Sequence, residues 1–216
     1  MAVRLNIGCG QTPTEGWINY DNSLAVRLAG APPFAWALGL FGLLDAGNRE
    51  FAAFARRRNI RWADATRRIP HADGAVDVVY SSHMIEHLDR RQARGFLAEC
   101  RRVLKSGGLL RLAVPDLCLP VREYLADGNA DLFLEQLQFD LDRPHGFGER
   151  LRHFLSGGGR NHHWMYDERS IARLVAAAGF DDVRTLPAGS SRIADAGDLD
   201  LAERSEESIY LEATRP

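Results

Sequence analysis

Two histidines and a glutamate stand within five positions of one another in Ser81-Ser82-His83-Met84-Ile85-Glu86-His87-Leu88. Imidazole and carboxylate groups move protons near neutral pH or hold divalent cations. On a helix, His83 and His87 would lie four residues apart on one face, with Glu86 beside them. Taken alone, H-x-x-E-H is the inverted zinc-protease pattern. Here it follows an apolar run, residues 75–80, that reads as a strand. The preferred reading is that Glu86 and His87 open a helix and fix a ligand-binding loop. A metal site on Glu86 and His87, completed by His162 or His163, is the lesser reading, and no metal is expected. His145, His162 and His163 fall in or just after a polar stretch where an acceptor molecule would lie. A positioned histidine is the commonest general base, so His83, His162 and His163 are the candidate catalytic residues. Trp164 reads as core, with Tyr166 either core or a stacking surface.

The second chemical feature is Leu5-Asn6-Ile7-Gly8-Cys9-Gly10, an apolar run ending in a Gly-x-Gly turn. Glycine turns the backbone sharply and lets a ligand come close to it. Asp21 closes the next apolar run, where a carboxylate accepts hydrogen bonds from ribose hydroxyls; the plainer alternative is a turn-starting aspartate. Asp64 and Ala65 follow a third run. A polar side chain there can meet an adenine amine, beside a backbone amide that reads a ring nitrogen. The third glycine of a dinucleotide fingerprint would fall at Pro13, which has no amide to donate. A nucleoside without a pyrophosphate therefore fits better, and a nucleotide-dependent oxidoreductase is disfavoured. Cys9 reads as turn packing rather than as a nucleophile.

These residues need a frame. Strands are expected over 3–7, 17–21, 60–63, 75–80, 109–114, 183–186 and 208–213, and helices over 90–104 and 168–178. The stretch from Gly10 to Asp21 is too short for a long helix. Residues 24–59 and 117–160 interrupt the pattern. The first is read as a helical hairpin, with a short turn at 24–30, an apolar run at 34–44 and a helix at 49–58 that ends in three arginines. It would serve as a cap, or as a lid over a hydrophobic acceptor; peripheral membrane contact through 28–58 is the lesser alternative. The second carries helices at 121–126 and 130–139, then a polar, glycine-rich stretch.

The chain has 216 residues, 45% hydrophobic and 26% charged, with a formal net charge of -2. That length suits one α/β domain. The charge argues against nucleic-acid binding, which needs a basic face. Three dispersed cysteines suggest a reducing compartment. No signal peptide and no membrane span are read, so a cytoplasmic protein is expected.

The order of motifs, from Gly-x-Gly through Asp21, Asp64-Ala65 and Glu86-His87-Leu88 to Leu104-Lys105-Ser106-Gly107-Gly108, resembles the class I S-adenosylmethionine-dependent methyltransferases. It is most similar to the "methyltransferase type 11" group, whose chains open Leu-Asn-Ile-Gly-Cys-Gly and continue Gly-Trp-Ile-Asn-x-Asp. The resemblance covers most of 3–116 and the segment 163–179. It implies a Rossmann-like seven-stranded α/β fold, mostly parallel with an antiparallel last strand, helices on both faces and two helical insertions, as a single domain over 1–216. It implies S-adenosyl-L-methionine contacts at Gly8, Cys9, Gly10, Asp21, Asp64, Ala65, Ser81 and His83. It implies SN2 methyl transfer to a small-molecule, glycan or lipid-linked acceptor. The alternative is a protein that binds the cofactor without transfer.

Overall fold

The computed structural model describes residues 2–30, 46–138 and 161–216. The apolar run 34–44, His145 and the glycine-rich stretch 157–159 lie outside the described residues. Seven strands form one sheet: β1 (Arg4–Ile7), β2 (Ile18–Asp21), β3 (Arg61–Trp62), β4 (Val76–Ser82), β5 (Leu104–Pro115), β6 (Asp181–Leu186) and β7 (Ser208–Thr214), in the order β3-β2-β1-β4-β5-β7-β6. β1 to β5 are parallel, and β7 runs antiparallel to both β5 and β6. The chain moves outward from β1 to β3, then returns to place β4 on the other side of β1. In open α/β sheets such a reversal opens a crevice beyond the carboxyl ends of the strands, where ligands bind. The crevice here is bounded by the ends of β1 and β4.

The helices follow sequence signals. α1 (Leu24–Ala29) is capped by Ser23, and α2 is Ala46–Arg57. α3 (Arg90–Val103) starts at a capping box in which Asp89 accepts from the Arg91 and Gln92 amides while Gln92 accepts from the Asp89 amide. α4 (Cys118–Asp127) and α5 (Ala130–Leu137) lie in the second interruption. α6 (Glu168–Ala177) is capped by Asp167, with Ser170 returning the bond.

The main core packs one sheet face against α3 and α6: Leu5, Ile7, Val79, Leu110, Leu112 and Val114 meet Phe96, Leu97, Cys100, Ile171 and Val175. On the other face, Trp17, Val78, Tyr80 and Leu109 are covered by Leu199 with Ile193, Ala196 and Leu201. A loop rather than a helix closes that region. It is held by a buried ion pair, in which Arg111 on β5 donates to Glu212 on β7 at 2.9 Å and to the carbonyls of Ser190 and Leu201. Among the described residues no helix is long and apolar enough to cross a membrane.

Three local expectations change. β5 begins at Leu104, directly after α3, because its pairing with β4 slips between Val76 and Val78 and absorbs the Gly107-Gly108 segment. Residues 83–87 are not one helix: His83 has a φ of 45°, and only Ile85–His87 forms a short 3-10 turn before α3. Trp164 is 43% exposed rather than core, and the Arg90 guanidinium lies 4.7 Å over its ring. The fully buried ring is Tyr166.

Candidate active site

The first wall of the crevice is the glycine turn. Gly8 has a φ of 73° and Gly10 one of 50°. The amides of Gly8 and Cys9 both donate to the carbonyl of Tyr20, which fastens the turn to the end of β2. A Cβ on Gly8 would fall 2.5 Å from Met84 Cγ, so only glycine lets the β4 end close over this turn. The following loop is shaped by buried amides. Asn6 donates to Thr14 Oγ1 and to the Thr12 carbonyl, while Asn19 accepts from the Thr14 amide and donates back to its carbonyl. This network stands where a first helix would otherwise lie.

Asp21 is placed by the same turn. One carboxylate oxygen accepts the Gly10 amide at 3.2 Å and the other accepts the Ser23 amide at 2.8 Å. An ionised carboxylate offers about four lone-pair directions, so two amides leave acceptor capacity for a ribose diol. Asp64 is more heavily engaged. Its Oδ1 accepts from the Thr66 amide and hydroxyl, and its Oδ2 lies 3.3 Å from Arg67 Nε. Ala65 is buried beside it in the main core. Ser81, near the end of β4, is 2% exposed, and its hydroxyl has no hydrogen-bond partner. A buried orphan hydroxyl here suits a bound polar ligand.

The Cys9 side chain is buried. It packs with Ala25, Val26, Phe51, Ala55 and Ile60, under α1 and α2. Burial, with the nearby Asp21 charge, pushes its thiol up to about 12. Only its main chain can face the crevice.

The second wall is the end of β4. His83 donates its amide to the Ala113 carbonyl, and its strained φ sets the ring against the β7 side. Its Nε2 lies 2.8 Å from Ser208 Oγ and its Nδ1 lies 3.2 Å from Arg204 Nη1. A guanidinium can only donate, which assigns the His83 proton to Nε2. Burial, then the Arg204 charge, lowers the His83 pKa to about 4, so the ring is neutral at pH 7. Glu86 is fully buried, and neither carboxylate oxygen accepts a hydrogen bond of normal geometry. Burial pushes its carboxyl up to about 8.

The segment after the second interruption closes on this wall. The amides of His163 and Trp164 both donate to the Glu86 carbonyl, at 2.7 and 3.1 Å. His162 is thereby brought next to His87, with ring centroids 5.1 Å apart. The ring of His163 is exposed. Of the candidate catalytic residues, His83 and His162 converge on Glu86 and His87, while His163 contributes its backbone. Sequence reasoning missed Arg204, Ser208 and the Asn6–Asn19 network. The first two lie more than a hundred residues from His83 and carry no local pattern. A cavity of about 620 Å³ lined by Arg90, Arg94, Trp164, Arg173 and Leu174 lies between α3 and α6. No residue of the glycine turn, Asp21 or Asp64 lines it, so it is distinct from the crevice.

Comparison with known proteins shows what this arrangement is similar to. Residues 44–112 match the family model for the type 11 methyltransferase domain. An S-adenosylmethionine-dependent methyltransferase from Methanosarcina mazei has the same fold: 13% identity, 98% of this chain and 91% of the other covered, TM-score 0.54. One from Thermotoga maritima is 17% identical, with 100% and 83% covered and a TM-score of 0.49. Phosphoethanolamine N-methyltransferase 2 of Haemonchus contortus, solved with S-adenosyl-L-methionine, is 12% identical, with 100% and 50% covered and a TM-score of 0.46. No curated protein matches the chain. The fold, with strand order reversing between β1 and β4 and an antiparallel β7, is shared with the Methanosarcina mazei protein. The matched stretch, residues 44–112, is similar to the type 11 methyltransferase domain. The glycine turn, the spare acceptor capacity of Asp21 and the orphan Ser81 hydroxyl fit S-adenosyl-L-methionine, the cofactor that the sequence resemblance implies.

Proposed function

We propose that the protein transfers a methyl group to a small-molecule, glycan or lipid-linked acceptor held over the ends of β1 and β4. The observation that carries this reading is the packing of Met84 on Gly8, which sets the His83, Glu86, His87 and His162 cluster directly beside the cofactor turn. S-adenosylmethionine supplies a methyl group on a sulfonium, activated for in-line SN2 displacement with S-adenosylhomocysteine as leaving group. The chain's own task is then alignment and exclusion of water. Asp21 would hold the ribose, Asp64 and Ala65 the adenine, and the Gly8–Gly10 backbone the amino-acid end. A hydroxyl or ammonium acceptor must also lose a proton. Burial keeps His83 and His162 below the usual histidine range; Arg204 and Ser208 engage both nitrogens of His83, whereas His162, whose Nδ1 bonds the Leu137 carbonyl, offers Nε2 for that step.

The whole chain acts as one domain in this reading, with the segments 24–59 and 117–160 forming the acceptor pocket. Two contacts support it. α1 and α2 pack on Cys9 of the glycine turn, and the carbonyls of Leu137 and Gln138, at the end of α5, bind the ring and amide of His162. A cytoplasmic location accords with three free cysteines. Calorimetry with S-adenosylmethionine and S-adenosylhomocysteine tests the cofactor site; absence of binding by both defeats the reading. Transfer of labelled methyl to a panel of hydroxyl and amine acceptors then separates an enzyme from a protein that only binds the cofactor.

A further inference from the structure

The cavity between α3 and α6 is lined by Arg90, Arg94 and Arg173, and its lining includes no carboxylate. Among the described residues none of these three arginines forms an ion pair. Asp89 and Asp167, the caps of the two helices, spend their carboxylates on the amides of Arg91, Gln92 and Ser170. The placement also works against the helix. Arg90 opens α3, whose first turn holds no acidic residue, although a helix N-terminus favours negative charge. Like charges around one cavity repel one another, and an anion among them removes that cost. The Arg90 guanidinium stacks on Trp164, 4.7 Å from the ring centre, which fixes its position and leaves its N–H edge to donate. The charged and apolar ends of the cavity are separate. Both helices precede strands that run the same way, β5 and β6. Arg90, Arg94 and Ala98 succeed one another at four-residue intervals on one face of α3, and on α6 the lining runs from Ser170 and Arg173 to Ala177 and Ala178. The guanidiniums therefore gather toward the helix starts and the small apolar side chains toward the helix ends.

We propose that this cavity binds a phosphomonoester carried on a short apolar body, at a site separate from the cofactor crevice. A phosphate brings about two negative charges and three acceptor oxygens, enough to engage all three guanidiniums, whereas a carboxylate brings one charge and two oxygens. The planar fork of arginine matches phosphate geometry and binds it bidentately. Ala98, Leu174, Ala177 and Ala178 present an apolar surface beside that anion, on which the body of the ligand lies. A volume of about 620 Å³ suits one phosphate with a short chain, not a nucleic-acid backbone, which takes an extended basic stripe. The headgroup of an acidic lipid and a soluble organic phosphate share this chemistry. Trp164 joins the cavity to the crevice wall, since its amide donates to the Glu86 carbonyl at 3.1 Å. The inference stands on the lining of the cavity and not on the transfer activity.

The test titrates the full chain with hexyl phosphate, heptanoate and inorganic phosphate by calorimetry. Hexyl phosphate is expected to bind at one per chain, at least about 10-fold tighter than either of the others. Its affinity falls as sodium chloride is raised. Arg94→Gln and Arg173→Gln each weaken binding by about 10-fold or more, the loss of a charge-assisted hydrogen bond. Both side chains are exposed, so these variants keep the melting temperature of the parent. Arg91→Gln removes an equal charge from α3 outside the cavity and binds as the parent does. Flotation with phosphatidylcholine vesicles containing phosphatidic acid distinguishes the two sources of phosphate. Retention that is lost in Arg94→Gln and Arg173→Gln assigns the site to a lipid headgroup, and binding of hexyl phosphate without retention assigns it to a soluble organic phosphate. Absence of both hexyl phosphate binding and vesicle retention would overturn the proposal. Parent-like binding by either cavity variant would do so too, as would equal affinity for heptanoate or for inorganic phosphate.

Discussion

The amide of Gly10 donates to the carboxylate of Asp21 at 3.2 Å, so the turn after β1 and the end of β2 are one unit. Asp21→Ala removes the acceptor of this amide and, in the proposed cofactor site, that of a ribose hydroxyl. Hydrogen bonds to a charged group are worth about 2 kcal/mol, roughly 30-fold in affinity. Calorimetric affinity for S-adenosylhomocysteine is expected to fall by about that factor, and Asp21→Asn by less. An unchanged affinity in Asp21→Ala would remove this residue from the cofactor site.

Gly8→Ala places a methyl group 2.5 Å from Met84 Cγ at a φ of 73°. A non-glycine residue in that region costs on the order of 1–3 kcal/mol. Urea denaturation should show a loss of that size, together with weaker cofactor binding. Adding Met84→Ala relieves the clash but not the backbone strain, so the double variant recovers only part of the loss.

Glu212 ties β7 to β5 and to the 187–207 loop, accepting from Arg111, Ser191 and Arg192. Glu212→Leu leaves Arg111 buried without its counter-charge, which costs about 3–5 kcal/mol. The measured midpoint should drop accordingly, and protease should cut the loop faster. Arg111→Met combined with Glu212→Leu should regain much of the stability, since a buried apolar pair replaces a buried charge.

Glu99 accepts from the Ile69 amide and from Arg102. The Arg102 bond, more than its charge, holds the Glu99 carboxyl below the ordinary 4.5. A value depressed on folding means that the folded chain binds fewer protons than the unfolded one. The stabilisation is therefore complete above about pH 4.5 and is lost as pH falls through the folded-state value. Glu99→Gln should cost about 1–2 kcal/mol at pH 7. In thermal melts the gap between variant and parent should narrow towards pH 3.

Much of the frame is local and therefore legible in the sequence. Alternation of short apolar runs with helical periodicity marks β1, β2, β4, β7, α3 and α6, since each element buries its own stripe. The Asp167 cap and the Gly8–Gly10 turn are likewise fixed by residue types a few positions apart. The strand that starts at Leu104 was not legible, because the slip between Val76 and Val78 that admits it belongs to the pairing of two strands. Nor was the exposure of Trp164, whose apolar ring is satisfied by Arg90 on another element.

The sequence alone determined that a Gly-x-Gly turn follows the first strand, that Asp21 and Asp64 follow the next two apolar runs, and that histidines and Glu86 follow β4. Only the tertiary structure decided which of these groups meet. His162 joins Glu86 and His87 across some seventy-five positions, because the 161–164 backbone bonds to the Glu86 carbonyl. Arg204 reaches His83 because the loop bearing it is pinned over the sheet by Arg111 and Glu212. Spacing along a chain sets the period of a helix or strand. Contacts between distant segments are set by sheet order and core packing, which leave no local pattern to read.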